Sequence, residues 1–440
     1  MALTFIPPEV TEPEKTEAGR TEAERTEALI KEARRLQRRR WGRWAALVTA
    51  MLAGAAVVGT ALQGGAPSKP RPASRPPNPP RQGRVSGPSL GLATSYQLTG
   101  PTGVAVDRAG NLYFTDGSRV LEVDRATQQL EIVAGTGTPE FAGDGGPGPL
   151  AEVSYPSGVA VAPNGDVYFE DANRVRKVSA ADGVISSVAG DGRTGNSGNG
   201  GPATKASLNF GGVGGMSGLS DSLAFGPDGD LYIAEAANDE VQKVSIATGL
   251  ISRAAGPGIH CGPLDGICQA ATHPCAPVGV TVDAFSNIFV TTGCGSVRET
   301  SAATGRTSTI FSTRQDPALA GTGGDHDPTG LAIGPNNRLF VTEAYGRRLL
   351  EINLHSGRVI RVAGTGDETF PEPGQTAGDG GPADAATFGL ALGAAVDSQG
   401  DIYVADFFND AIRMINARSG VISTVAGQIP TSPVQQGHCC

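Results

Sequence analysis

The chain has 440 residues, 39 % of them hydrophobic but only 5 % aromatic, with 63 glycines and 31 prolines. So many turn formers without a G-X-Y period exclude collagen and argue against a helical enzyme; they suit many short strands joined by turns. The net charge of −9 conceals an asymmetry: from Pro101 onward there are 20 basic and 36 acidic residues, and so acidic a region repels phosphate backbones and excludes nucleic acid as a partner.

Residues 1–43 carry ten basic and eight acidic residues, with a TEAGR, TEAER, TEALI, KEARR repeat from Thr16 to Arg35. Glu, Ala and Arg favour helix. Without apolar a and d positions the segment cannot form a coiled coil, so a solvated, partly helical cytoplasmic tail is expected. Trp44 to Leu62 is uncharged across 19 residues, long enough as a helix to span about 28 Å of hydrocarbon. Lys31, Arg34, Arg35, Arg38, Arg39, Arg40 and Arg43 precede it, with Trp41 and Trp44 at the interface. This pattern predicts a transmembrane signal-anchor with its N-terminus in the cytoplasm, in preference to a cleaved signal peptide. Residues 63–100 are Pro-rich, with five basic and no acidic residues from 64 onward, and read as an extended extracytoplasmic linker.

From Pro101 the chain repeats itself. Equivalent positions at Gly103, Gly158, Ser222, Gly279, Gly330 and Gly393 step by 55, 64, 57, 51 and 63 residues, around a core of about 35 residues. Each core reads as four strands, GVAV, LYFTD, RVLEV and LEIVAG in the first, joined by turns such as PNGD and AADG. One sheet cannot bury both its faces, so six sheets must stack. The fold class expected for 101–427 is all-β: a six-bladed β-propeller of four-stranded blades, with 428–440 as a tail.

After the second strand a D-x-x-N-x-[RAE]-[IV] pattern recurs, as Asp406, Asn409 and Ile412, and as Glu235, Asn238 and Val241. It resembles the NHL repeat. Loops with G-[DN]-G-G-P at 143–147, 198–202 and 378–382, followed in the last two by A-x-x-A-x-[LF], are similar to those of the teneurin-type NHL subgroup. The resemblance implies an interaction platform, similar to the outer sensor domains of bacterial receptor kinases but without a kinase. The function expected is binding of an extracytoplasmic protein, peptide or glycan, with no cofactor. The alternative the resemblance carries is a metal-dependent enzyme, lactonase-like or lyase-like, with its site in the central channel.

In four antiparallel strands, the links between blades share a face with the second-to-third-strand loops. These links run to 20, 31, 20, 15 and 27 residues, which makes theirs the expected binding face, with Asp144, Asn199 and Asp379 on it. The acids ending the second strands, Asp116, Asp171, Glu235, Glu343 and Asp406, recur in register and so read as scaffold; blade four has Thr292 there. Asp325, His326 and Asp327 form the best metal or acid–base candidate, although such a run in a glycine loop is usually a solvated turn. No catalytic residue is assigned. The outer location favours disulfides among Cys261, Cys268, Cys275, Cys294, Cys439 and Cys440. In blade four, facing residues of the first hairpin have numbers summing to about 569 or 570, which pairs Cys275 with Cys294 and leaves Cys261 for Cys268.

Overall fold

A computed structural model describes residues 87–211, 222–256, 276–293, 295–313, 328–366 and 378–428. The tail, the membrane segment, all six cysteines and Asp325, His326 and Asp327 lie outside these residues. Among the described residues no helix is long and apolar enough to cross a membrane.

The described residues form six antiparallel sheets, five of four strands and one of five. The inner strands are Pro101–Val106, Val159–Val161, Leu223–Phe225, Pro277–Val282, Pro328–Gly334 and Ala391–Val396. Each adjoins the next, and the first adjoins the last, so the sheets close into a ring of six blades. Second strands such as Leu112–Asp116 and Ile402–Asp406 are buried at every residue, because a neighbouring blade covers each of their faces. The core is accordingly divided between blades. One cluster joins Tyr113 and Val133 to Val167 and Ile185; another joins Phe340 and Leu349 to Ile402 and Ile415.

The turns follow the expected chemistry. Gly110, Gly165, Gly229 and Gly400 hold φ of +82 to +89°, left-handed backbone that glycine adopts without a Cβ penalty. The blade-four register is also as expected: Val280 faces Val290 and Pro277 faces Thr292, with a bulge between. Gly293 N donates to Ala276 O at 3.1 Å, which carries the ladder to within one residue of both Cys275 and Cys294.

One boundary needs correction. The linker expected over 63–100 ends earlier, because Ser89–Leu92 forms a fifth strand on the outer edge of blade one. Ala93 and Leu98, each 1 % exposed, then enter the core between blades one and six. Ala93 N donates to Gln128 O at 3.0 Å, and Gly427 N, at the end of blade six, donates to Ala93 O at 3.1 Å. Residues 89–98 therefore close the ring without a covalent link from the last blade. They hold no proline and no charge, but they follow a proline-rich stretch and carry no blade repeat, so the sequence did not set them apart from it.

Candidate functional site on the loop-rich face

Four of the acids ending the second strands anchor the chain that leads into their own blade. Asp116 Oδ1 accepts from Thr99 N at 2.7 Å, Asp171 Oδ1 from Ser154 N at 2.7 Å, and Asp406 Oδ1 from Gly389 N at 2.7 Å. Glu235 Oε2 does the same for Asn209 N at 2.9 Å, and Glu343 binds Arg348. In blade four Thr292 Oγ1 and Ser296 Oγ share a hydrogen bond of 2.8 Å. The expected scaffold role is what the geometry shows. Burial raises the Asp116 carboxyl to about 7 and that of Glu235 to about 8.

The G-[DN]-G-G-P segments leave the loop-rich face and run along the outer edge of the next blade. Gly145 N donates to Ile185 O, Gly200 N to Ile251 O and Gly380 N to Ile422 O, all at 2.8 Å. Asp144 accepts from Arg176 Nη2 at 2.7 Å and from Ser187 Oγ at 2.6 Å; Asp379 accepts from Arg413 Nη2 at 2.6 Å and from Thr424 N at 3.0 Å. Asn199 Oδ1 accepts from Arg253 N at 2.9 Å. These three residues, expected on ligand-facing loops, are clasps between blades. Arg176, fully buried, also reaches Asp171 at 2.7 Å and so ties three elements together. Sequence reading missed this arginine because its partner Asp144 lies 32 residues away on the previous blade's link.

Around the channel a second belt joins the blades. Thr115 Oγ1 donates to Ser157 O at 3.0 Å and Thr291 Oγ1 to Thr329 O at 2.6 Å, each reaching past a glycine of its own inner strand. Thr342 Oγ1 likewise binds Leu392 O. In blade two the equivalent residue is Glu170, which binds Ser157 Oγ and Ser222 Oγ and whose carboxyl burial raises to about 7.

Two aromatic side chains stand outward on the first link. Phe141 is 40 % exposed, with the Arg174 guanidinium 3.9 Å from its ring centroid and that of Arg176 at 4.7 Å. Tyr155, on the same link, is 55 % exposed with φ of +48°, whereas Phe210 and Leu390 at the equivalent positions of other links are buried. Asn196 replaces Phe141 in the second link. Sister links thus make the clasp without these outward side chains, so the scaffold does not require them. Comparing the repeats with one another would have revealed this in the sequence.

On the opposite face, the turns of blades one and two line a cleft of about 520 Å³ with Asp107, Arg108, Tyr113, Asn164 and Asp166. Its aspartates are engaged: Asp107 by Asn111 Nδ2 at 2.8 Å, Asp166 by Lys177 at 3.0 Å. Among the described residues no three His, Cys, Asp or Glu side chains gather in a metal-binding arrangement.

Residues 337–439 match the family model of the teneurin NHL domain. No curated protein matches the sequence. Among solved structures the chain is similar to a virginiamycin B lyase from Staphylococcus aureus, at 15 % identity over 78 % of this chain and 89 % of that one, with a TM-score of 0.44. It is similar to an auxiliary nutrient binding protein from Bacteroides ovatus at 12 % identity, covering 78 % and 77 %, with a TM-score of 0.49. A chain of a nidogen/laminin complex gives 9 % identity, covering 72 % and 99 %, with a TM-score of 0.44.

Proposed function

We propose that this NHL-repeat propeller is the extracytoplasmic binding module of a membrane-anchored protein, and that it takes a protein, peptide or glycan on its loop-rich face. The observation that carries the reading is the outward pair Phe141 and Tyr155, exposed where sister links have a polar or a buried residue. Exposed aromatics beside an arginine are the residue types on which binding energy concentrates. The neighbouring acids and clasps are occupied in holding the ring, so they fix the position of the pair without taking part in contact.

The anchor belongs to the same proposal. Seven basic residues before Trp44 orient the chain, so protease added to intact cells is expected to release the propeller. Replacing Phe141 and Tyr155 together by Ser is expected to abolish capture of the partner at the cell surface while lowering stability by only about 1–2 kcal/mol, so that the propeller stays folded. Full capture by the double variant would sink this reading.

A further inference from the structure

Blade three differs from blades two and six at one buried position. The third residue of the third strand is Arg176 in blade two and Arg413 in blade six, facing Phe169 and Val404. Each guanidinium sits between two carboxylates: Arg176 with Asp171 at 2.7 Å and Asp144 at 2.7 Å, Arg413 with Asp406 at 3.5 Å and Asp379 at 2.6 Å. In blade three the residue at that position, facing Ile233, is Gln242. The arginine's positive charge is gone, and the clasp aspartate has become Asn199.

The negative charge has not gone with it. Glu235 ends the second strand and faces Glu240 directly, and both residues are 0 % exposed. Arg253 Nε reaches Glu240 Oε2 at 2.6 Å, and among the described residues no cationic side chain pairs with Glu235. Like charges facing one another across a strand pair are destabilising, the more so out of water. Glu235 Oε2 receives Asn209 N and Asn238 Nδ2, at 2.9 and 2.5 Å. Its Oε1 has no donor among the described residues. Gln242 Nε2 donates to Glu240 Oε1 at 2.6 Å, and among the described residues Gln242 Oε1 has no donor either. Residues 235, 240 and 242 lie on one face of paired strands, because side chains alternate along a strand. Burial and the facing Glu240 raise the Glu235 carboxyl, so without a cation a proton relieves the crowding; two buried oxygens with no donor among the described residues leave a place for a positive group instead.

We infer that blade three holds an oxygen-liganded cation of the sodium or calcium class between Glu235, Glu240 and Gln242, where blades two and six place an arginine. Carboxylate and amide oxygens are the donors such hard cations take. Like the arginine, the cation would tie the end of the second strand to the third, and so make this blade alone dependent on the ionic medium.

Thermal unfolding of the full chain in detergent tests this. Metal-free choline chloride is the reference, with NaCl, CaCl2 or MgCl2 exchanged in at matched ionic strength. Sodium or calcium is expected to raise the midpoint by roughly 3–6 °C at a hundredfold excess over Kd. Gln242→Arg restores the sister arrangement and is expected to unfold at the same temperature in every salt. Glu235→Gln removes the charge and is expected to lose the response as well; it decides the matter should Gln242→Arg fail to fold. No cation response in the parent protein overturns the inference. So does an undiminished response in Glu235→Gln, or a midpoint that follows pH and no cation, which would assign a proton to Glu235 instead.

Discussion

Leu98 tests whether the segment before the first blade belongs to the propeller. It is 1 % exposed between blades one and six, whereas Leu92, six residues earlier in the same segment, is 49 % exposed. Leu98→Ala removes a buried isobutyl group from a site enclosed on both sides by sheets that cannot collapse. The loss is expected to be about 3 kcal/mol, within the range for buried leucines. That is a large share of a net stability of roughly 5–15 kcal/mol. With a urea slope of roughly 3 kcal/mol/M, the unfolding midpoint should fall by about 1 M. Leu92→Ala, exposed on the fifth strand, should change stability by less than about 0.5 kcal/mol. Equal shifts for the two variants, or none for Leu98→Ala, would refute the claim that residues 89–98 close the ring.

Three further outcomes follow from the same geometry. At Gly330 an added Cβ would lie 2.3 Å from Leu392 O and 2.8 Å from Ala394 N, so Gly330→Ala should cost about 2 kcal/mol by separating blades five and six, read as a lowered midpoint. Burial raises Asp116 from 3.8 and Glu170 from 4.5, each to about 7. The folded state therefore keeps protons that the unfolded state releases: stability is fullest below the unfolded values and falls as pH rises towards about 7. The slope is about 1.4 kcal/mol per pH unit for each group, and Glu170→Gln should remove one group's share from a pH series of unfolding curves. Finally, non-reducing peptide mapping should recover Cys275 linked to Cys294, since the ladder reaches Ala276 and Gly293; a Cys268–Cys294 peptide would contradict that register.

The blades were legible in the sequence because each strand repeats its pattern six times, and local propensity, hydrophobic pattern and, in four of the six copies, a glycine in the first turn agree. The scaffold role of Asp116, Asp171, Glu235, Glu343 and Asp406 was legible for the same reason. The closing segment was not, because it lacks the G-D-G-G-P signature and directly follows a proline-rich stretch. Its one signal is spacing: Ala93, Tyr96 and Leu98 repeat the intervals of Ala203, Ala206 and Leu208, and of Ala383, Ala386 and Phe388. The arginine clamps were hidden because their ligands come from the previous blade's link, a relation that exists only once the ring is closed. The direction of the long links was hidden too. Length placed them on one face, but half of each described clasp is spent on the outer edge of the next blade, where its backbone satisfies an otherwise unpaired fourth strand.

The measurement that bears most directly on the binding reading is a photo-crosslinking scan on cells displaying the full chain. A crosslinking side chain is introduced at residue 141 or 155 on the loop-rich face, or at 164 or 181 in the opposite turns. The account predicts a discrete higher-mass adduct from 141 and 155 and none from the turns. Adducts from 164 and 181, with none from 141 or 155, would contradict it and move the site to the cleft on the other face.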